Sequence, residues 1–257
     1  MEKNTSLDFY DELSENYHLI FHDWYQAVQW QGNFFNGFIR SHYPRKDEEE
    51  IKLLDASCGI GTQSLGLAQH EFEVTATDLS PRSIERAKRE AEKLGVQISF
   101  GTADFRTLDV DVPGQFEVFL SADNAVPHLL TDADLEKACR NFYDKLESDG
   151  LLVISIRDYD HEILKKQRAT LPRVMDGGKR IAFQVWDWAE GTNAYITNQF
   201  IMQEIDGEWQ TKVNKTTYRA LLREELSEAL RSARFQDIRW HMPAESGYYQ
   251  PIVTARK

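Results

Sequence analysis

One stretch near the start of the chain constrains the fold more than any other. An apolar run at 51–54 ends in Asp55, and Gly59 and Gly61 then precede a helical pattern that begins at about Thr62. Glycine permits a sharp turn and lets a ligand come close to the backbone, because it has no Cβ. The stretch therefore predicts a strand, a tight glycine turn that can bind a ligand, and a helix.

After this turn, strand patterns and helical patterns alternate along the chain. Ser80 and Pro81 are typical of a helix start, and Gly95 and Gly150 are typical of helix ends. Alternation of this kind predicts a doubly wound, mostly parallel α/β sheet with helices on both faces. The predicted strands are 51–56, 72–77, 97–101, 116–121 and 151–156, and the predicted helices are 62–70, 81–94 and 132–147.

The flanking segments follow different patterns. Residues 7–43 carry many aromatic residues at helical spacings, which predicts two short helices, and a charged linker follows at 45–50. After residue 157, period-two alternation predicts three antiparallel strands, and a helix and two more strands close the chain. Those strands are 180–187, 193–205 and 208–219, and the closing elements are 222–233, 235–241 and 250–256. We therefore predict an N-terminal helical cap (1–50), a core (51–157), an inserted antiparallel lid (158–220) and the C-terminal part of the core sheet (221–257).

Composition and charge restrict the class of partner. The chain has 257 residues and a formal net charge of −12, which disfavours nucleic acid and acidic membrane surfaces. We therefore expect a small-molecule substrate. Cys58 and Cys139 are far apart and give no metal-ligand spacing, so we expect no metal. No apolar run approaches the ~18 residues of a membrane span, and we expect a cytoplasmic protein that could form oligomers.

Two classes of ligand compete for the glycine turn. A dinucleotide would put its pyrophosphate beside the like charge of Asp55, and Ser64 stands where that fingerprint needs a third glycine. A cationic ligand reverses the argument, and S-adenosylmethionine (SAM) carries a sulfonium and an ammonium. The stretch 53–62 resembles the glycine loop of the class I SAM-dependent methyltransferases, which has an acidic residue at its head. Ser57 stands where that family often has glycine.

The resemblance implies SAM as cofactor, S-adenosylhomocysteine (SAH) as product, and a seven-stranded Rossmann-like sheet with one reversed strand near its end. It implies that Asp78 accepts the ribose hydroxyls and that Leu79 packs on the adenine. Asp104 and Phe105 follow the third strand, where the family reads the adenine amine. Because ligands bind at the carboxyl ends of such strands, the predicted cofactor contacts are Asp55, Ser57, Gly59, Gly61, Asp78, Leu79, Asp104, Phe105 and Ser121.

Two further segments resemble the glycine N-methyltransferase branch of that family. Asn124 and His128 match an Asn and a His that follow its fourth strand, although the position before the Asn, often glycine there, is Asp123. Arg157 matches an Arg that holds the substrate carboxylate in that branch. An Arg at the end of an apolar strand also needs a partner on physical grounds, and a carboxylate is its best one. A structural ion pair with Asp123 or Asp158 is the alternative.

The predicted substrate contacts are thus Asn124, Arg157 and, from the aromatic cap, Trp24. Tyr17 and His128 are the candidate catalytic groups, although His128 could equally be a histidine bonded to the backbone. We predict methyl transfer to a small nucleophile, with the amine of glycine, sarcosine or a related amino acid as the leading candidate. The alternatives are a small-molecule O-methyltransferase and a SAM-binding module without turnover. A nicotinamide-dependent oxidoreductase is disfavoured by Asp55 and Ser64.

Overall fold

Two β-sheets organise the chain. The computed structural model describes residues 5–44 and 50–257, so residues 45–49 of the predicted linker and the first four residues of the predicted cap lie outside the described residues. One sheet has seven strands and the other has four, which are antiparallel. The predicted fold class is confirmed. The boundaries drawn at residues 51, 158 and 221 stay predictions.

The elements follow the predicted order. The strands are β1 (Ile51–Asp55), β2 (Phe72–Asp78), β3 (Ser99–Thr102), β4 (Phe116–Ser121), β5 (Leu146–Ser155), β6 (Arg173–Met175), β7 (Arg180–Trp188), β8 (Ala194–Ile205), β9 (Glu208–Arg219), β10 (Gln236–His241) and β11 (Ile252–Arg256). The helices are α1 (Ser6–Leu13), α2 (Trp24–His42), α3 (Thr62–Leu67), α4 (Pro81–Leu94), α5 (Leu108–Asp111), α6 (Asp132–Lys145), α7 (Tyr159–Lys165), α8 (Arg223–Ser232) and α9 (Pro243–Ser246). A short 3-10 helix, Tyr17–Ile20, lies between α1 and α2.

The seven-stranded sheet has the order β10-β11-β5-β4-β1-β2-β3. Its strands pair in parallel except for β11, which runs antiparallel to both β5 and β10. This is the reversed strand that the resemblance implied. Apolar side chains are buried on both faces of the sheet, one group around Phe119 and Phe142 and another around Phe35 and Ile39. The parallel strands therefore bring the carboxyl ends of β1, β2 and β4 to one edge.

Several boundaries differ from the prediction. The strand predicted to begin at residue 151 begins at Leu146, which is buried and pairs with Phe116 of β4. The aromatic N-terminal segment contains one long helix, α2, where we expected a short one. The second sheet has a fourth strand, β6, which is only three residues long and gave no period-two signal. These differences follow from tertiary pairing, which local patterns do not encode.

The long helix α2 persists through two glycines because one of them makes a close packing contact. A Cβ placed on Gly32 would lie 2.5 Å from Cα of Gly66 in α3, so the two backbones touch at this point. Gly37, in the same helix, has open space where its Cβ would be. The contact at Gly32 sets the position of α2 against α3, whose first residue follows the glycine turn.

We expect Gly32→Ala to lower the free energy of unfolding by about 1–3 kcal/mol or more, since the new methyl meets backbone atoms that cannot move aside. Gly37→Ala is the matched control in the same helix. It should be neutral or stabilise the protein by up to about 1 kcal/mol, because alanine favours helix over glycine. Denaturant unfolding of the two variants measures both effects. Equal stability in the two variants would contradict the close contact.

The second sheet has the order β6-β7-β8-β9 and turns one face toward the N-terminal segment. On that face Tyr195, Thr197, Gln199 and Ile201 of β8 are buried. Ile201 packs with the apolar residues of α1, and α1 also contacts β9. The N-terminal helix also contacts α4, so it packs between the second sheet and α4 of the core.

Candidate cofactor and substrate sites

A cavity of about 690 Å³ lies at the carboxyl ends of the parallel strands, and we call it the first cavity. Its size lies within the range of small-molecule sites. Eight of the predicted site residues line it, and six further residues of the wall matter below. The predicted ones are Tyr17, Ser57, Gly59, Asp78, Leu79, Asp104, Phe105 and His128; the others are Ser6, Tyr10, Thr62, Gln63, Asp123 and Thr217.

Asp78, at the end of β2, ties the glycine turn to the neighbouring strand. Its carboxylate accepts the backbone N–H of Gly59 at 2.9 Å and the backbone N–H of Ser80 at 2.9 Å. Burial raises the pKa of Asp78 to about 6, against the lowering effect of these two hydrogen bonds. The carboxylate lies on the cavity wall with capacity for further donors, as its predicted contact with ribose hydroxyls requires.

The two glycines of the turn have different surroundings. Gly59 has φ of +54° and lines the cavity, and a Cβ there would meet no atom within 4 Å. Gly61 has φ of +95°, and a Cβ there would lie 2.9 Å from Cγ of Leu65 and 3.5 Å from Cβ of Ala87. The absence of a side chain at Gly59 thus leaves space for a ligand in the cavity. The absence of a side chain at Gly61 leaves space for the core side chains of Leu65 and Ala87.

Asp55 lies beneath the turn, away from the cavity wall. One carboxylate oxygen accepts the Ser64 hydroxyl at 2.5 Å and the other accepts the Ser57 N–H at 3.3 Å. Burial raises the pKa of Asp55 to about 7, although both hydrogen bonds lower it. Ser121 is also buried off the wall, where its hydroxyl lies 2.9 Å from that of Ser57. We now interpret Asp55 and Ser121 as supports of the turn whose contact with a ligand is indirect.

Asp104 is on the cavity wall but already has a partner. Arg106 donates to both of its oxygens, through Nε at 2.9 Å and Nη2 at 2.6 Å. Burial raises the pKa of Asp104, but the hydrogen bonds from Arg106 outweigh it and hold the pKa below its usual value. Phe105 packs edge-on against Phe142 and lines the cavity beside Asp104. An adenine amine that donates to Asp104 would therefore bind a carboxylate that also accepts hydrogen bonds from the Arg106 guanidinium.

His128 joins two separate elements, α1 and β9. Its Nδ1 lies 3.3 Å from the carbonyl oxygen of Thr217 and 3.0 Å from the Ser6 hydroxyl, and its Nε2 lies 3.0 Å from the Tyr10 hydroxyl. Because a carbonyl oxygen only accepts, we infer that Nδ1 carries the proton and that Tyr10 donates to Nε2. Burial lowers the pKa of His128 to about 3, so the ring is neutral at physiological pH. It ties α1 to β9 on the wall of the cavity.

A second cavity, of about 360 Å³, adjoins the first. The two cavities share Tyr10, Tyr17 and Asp123 in their walls. The rest of the second wall is largely aromatic and amide-bearing, with two arginines. Its other residues include Phe21, Trp30, Gln31, Arg157, Arg173, Gln184, Gln199, Tyr218 and Tyr249.

Tyr17 lies where the two cavities meet. Burial, with the negative charge of Asp123 as the next cause, raises the pKa of its phenol well above the usual value. The phenol is therefore neutral at physiological pH, so it can donate a hydrogen bond but is a weak base. Its catalytic role stays a prediction.

Arg157 enters the second cavity from the end of β5 and has only neutral partners. Its guanidinium donates to the Tyr195 hydroxyl at 2.8 Å and to Oε1 of Gln184 at 3.0 Å. It lies over the rings of Trp186 and Tyr218, with the Cζ 4.9 and 5.4 Å from their centroids. Within the described residues no carboxylate forms an ion pair with it.

Both carboxylates that could have formed a structural ion pair with Arg157 bind other groups. Asp158 pairs with Arg223 at 2.6 Å. Asp123 accepts from Gln63 at 2.9 Å and from the hydroxyl of Tyr248 at 2.6 Å. The structural alternative left open by the sequence is thus excluded for the residues that it named.

Two predicted substrate contacts lie away from both cavity walls. Asn124 is buried, accepts the backbone N–H of Arg157 at 3.0 Å and donates to the Tyr159 hydroxyl at 2.9 Å. Trp24 is also buried, packs against α3 and donates to the Thr62 hydroxyl at 3.0 Å. We now interpret both as residues that position their neighbours, because the single N–H of Trp24 is used by Thr62 and the amide of Asn124 is bonded to Arg157 and Tyr159.

Sequence reasoning gave too little weight to Asp123 and missed the aromatic residues of the second wall. Asp123 was visible at the end of the fourth strand, where site residues are expected. Tyr218 and Tyr249 gave no local signal, because they come from β9 and from the loop before β11. Only the folded chain brings them beside Tyr17 and Asp123.

Comparison with known proteins agrees with this architecture. Residues 53–150 match the family described as "Methyltransferase domain". A glycine/sarcosine N-methyltransferase from Parasynechococcus marenigrum is 28% identical over 62% of this chain and 50% of its own length. A glycine/sarcosine/dimethylglycine N-methyltransferase from Actinopolyspora halophila is 31% identical over 54% of this chain and 24% of its own length. The chain therefore spans about half or less of these relatives.

A solved structure extends the likeness to nearly the whole chain. A SAM-dependent methyltransferase from Clostridium acetobutylicum superimposes with a TM-score of 0.73 at 14% identity, over 96% of this chain and 97% of that one. Residues 53–150 carry a methyltransferase domain, and the chain as a whole has the fold of that SAM-dependent methyltransferase. The resemblance read from the glycine loop is thereby confirmed.

The residues of the first cavity fit SAM. The open space at Gly59 admits a ligand against the backbone, and the Asp78 carboxylate beside it can accept hydroxyl donors. Leu79 and Phe105 offer apolar surface to an adenine on the same wall. These individual contacts stay predictions. Within residues 5–44 and 50–257, no group of three His, Cys, Asp or Glu could hold a metal ion, and no helix has the length and apolar character to cross a membrane.

The glycine turn provides a matched pair of variants for the methyltransferase domain. Gly59→Ala should weaken SAM binding, because its methyl enters ligand space, at a conformational cost of about 1–2 kcal/mol for a positive φ. Gly61→Ala should lower the melting temperature further, because its methyl also collides with Leu65. Calorimetric SAM titration and thermal melting separate the two effects. Normal SAM affinity in folded Gly59→Ala would remove this turn from the site.

The buried carboxyls predict a pH dependence that distinguishes SAM from SAH. The pKa values of about 6 for Asp78 and about 7 for Asp55 mean that both gain protons as the pH falls through this range. A sulfonium is attracted only to the ionised carboxylates, so SAM affinity should rise between about pH 5 and about pH 8. SAH has no sulfonium and should respond less. Calorimetry of both ligands checks this, and parallel pH profiles would contradict it.

Proposed function

We propose that the protein transfers a methyl group from SAM to the amine of a small molecule that also carries a carboxylate, such as glycine, sarcosine or a related amino acid. The observation that carries the proposal is Arg157, which faces the second cavity with no carboxylate partner among the described residues. An unpaired guanidinium at the wall of a cavity favours a carboxylate ligand, because its fork matches two carboxylate oxygens.

The arrangement of the two cavities supports transfer between them. Tyr10, Tyr17 and Asp123 belong to both walls, so a substrate held by Arg157 in the second cavity would meet the first cavity at these residues. The supporting partners Asn124, Gln184 and Tyr195 hold Arg157 in place. The relatives named for glycine and sarcosine N-methylation point to the same substrate class.

The protein's contribution to the reaction is mainly alignment and exclusion of water. SAM supplies an activated methyl group when bound. Neither His128 nor Tyr17 provides a strong base, since the ring of His128 holds its proton on Nδ1 and has a low pKa, and the phenol of Tyr17 has a raised one. The acceptor amine must therefore lose its proton to solvent before the site closes.

Variants of the two arginines in the second cavity test the substrate class. Arg157→Lys keeps the charge but loses the bidentate fork, and should raise the KM for glycine or sarcosine by about ten- to a hundredfold, equivalent to about 1.5–3 kcal/mol. Arg157→Ala should raise it further. Arg173→Lys, on the same wall but exposed, is the matched control and should change KM little. SAM affinity should stay near that of the wild type in all three.

Four outcomes would contradict this assignment. A lower melting temperature with unchanged acceptor selectivity in the Arg157 variants would make Arg157 structural. A larger effect at Arg173 would move the carboxylate site to that residue. Turnover only with hydroxylated metabolites would favour the O-methyltransferase, and SAM binding with no acceptor methylated would favour a binding module.

A further inference from the structure

We propose that Asp123 determines the specificity of the acceptor atom, selecting an amine nitrogen and disfavouring a hydroxyl oxygen. The proposal rests on the proposed function, because it concerns the acceptor of the same methyl transfer. It begins from the position of Asp123, which, like Tyr10 and Tyr17, lies on the walls of both cavities.

The backbone holds Asp123 rigidly at this junction. It follows β4 with φ of +59°, a left-handed conformation that Asp and Asn adopt more readily than most residues. Its backbone N–H donates to the Ser155 hydroxyl at 2.9 Å, and Ser155 in turn donates to Gln250 at 3.0 Å. The carboxylate is therefore presented from a turn after β4 that is hydrogen-bonded to the end of β5.

Hydrogen bonds orient the Asp123 carboxylate without neutralising its charge. One oxygen accepts the hydroxyls of Tyr248, at 2.6 Å, and Tyr249, and the other accepts the amides of Gln63, at 2.9 Å, and Gln31, at 3.4 Å. All four donors are neutral. In the described part of the chain, neither Lys nor Arg forms an ion pair with Asp123. An uncompensated carboxylate in a cleft favours a cation.

Methyl transfer to nitrogen moves positive charge toward the second cavity. The nitrogen lone pair forms the new N–C bond while the electron pair of the broken C–S bond passes to sulfur, which becomes a neutral thioether. The positive charge of the sulfonium is thereby transferred to an ammonium product. A fixed negative charge at the junction stabilises this developing charge, because preorganised electrostatics act most where charge forms.

A hydroxyl acceptor would experience the same carboxylate differently. An alcohol becomes a good nucleophile only as it loses its proton, and the negative charge that then grows on oxygen is repelled by Asp123. The aromatic faces around it act in the same direction. Phe21, Trp30 and Tyr249 line the second cavity, and aromatic faces attract cations but give an alkoxide no stabilisation.

The test compares acceptors that differ only in the attacking atom. Glycine and glycolate form one pair, and ethylamine and ethanol form a second pair without a carboxylate. The kcat/KM values of the wild type should favour each amine over its hydroxyl counterpart. In Asp123→Asn, kcat/KM for the amines should fall by about tenfold or more, and the preference should shrink by a similar factor, as expected for the loss of one charge in a partly buried site.

Two further variants separate charge from structure. Asp123→Gly tolerates the same backbone conformation and also removes the charge, so it should lose the preference even if Asp123→Asn folds poorly. Tyr248→Phe removes one hydrogen bond to Asp123 but keeps the carboxylate, and should retain the preference. Melting temperature and SAM affinity are measured for each variant, because a purely structural role would change these and leave the preference intact.

The outcomes for Asp123 and for the proposed function are distinguishable. A wild type that prefers the hydroxyl acceptors, or charge-removing variants that lower both members of a pair equally or change neither, would overturn the role of Asp123. Methylation of ethylamine in preference to glycine, with the preference over ethanol lost in Asp123→Asn, would support Asp123 and contradict the carboxylate site at Arg157. A wild type that methylates no member of either pair would contradict both proposals.

Discussion

The glycine turn keeps its shape because one buried carboxylate holds it against the neighbouring strand. Asp78 accepts the N–H of Gly59 and the N–H of Ser80, and the backbone N–H of Cys58 donates to the carbonyl of Thr77 at 2.9 Å. These contacts join β1, β2 and the start of α4. Without these hydrogen bonds, nothing would fix the position of the turn relative to the cavity. The helix α3, which follows the turn and contacts Gly32 of α2, would then also lack a fixed position.

Negative charge dominates the interior of the site. Among the described residues, Asp55 and Asp78 are buried without a cationic partner, and the donors around Asp123 are neutral. Burying such charges is costly, and ionised carboxylates in this setting gain most when a cation arrives. The site thus favours a positively charged cofactor in the first cavity. Arg157 supplies the complementary positive charge on the wall of the second cavity.

The N-terminal segment closes the site through polar contacts and not only through its aromatic residues. His128 joins Ser6 and Tyr10 of α1 to Thr217 of β9, and Asp11 of α1 accepts the Ser80 hydroxyl at 2.5 Å. Because burial keeps His128 neutral, its two ring nitrogens serve as one donor and one acceptor at physiological pH. The residue predicted as a candidate base is therefore part of the closure of the cavity.

The sequence by itself determined the parallel sheet, the glycine turn and the polar residues at the strand ends, because these depend on periodicity and on the conformational freedom of glycine. It also indicated Arg157, since an arginine at the end of an apolar strand needs a partner. Tertiary structure alone decided which of these side chains reach a cavity. Asp55, Asn124 and Trp24 are all polar or aromatic residues in the right segments, yet their hydrogen bonds to Ser64, Tyr159 and Thr62 turn them inward. Tyr218 and Tyr249 reach the site from distant segments, and no local pattern encodes the long-range packing that places Asp123 between the two cavities.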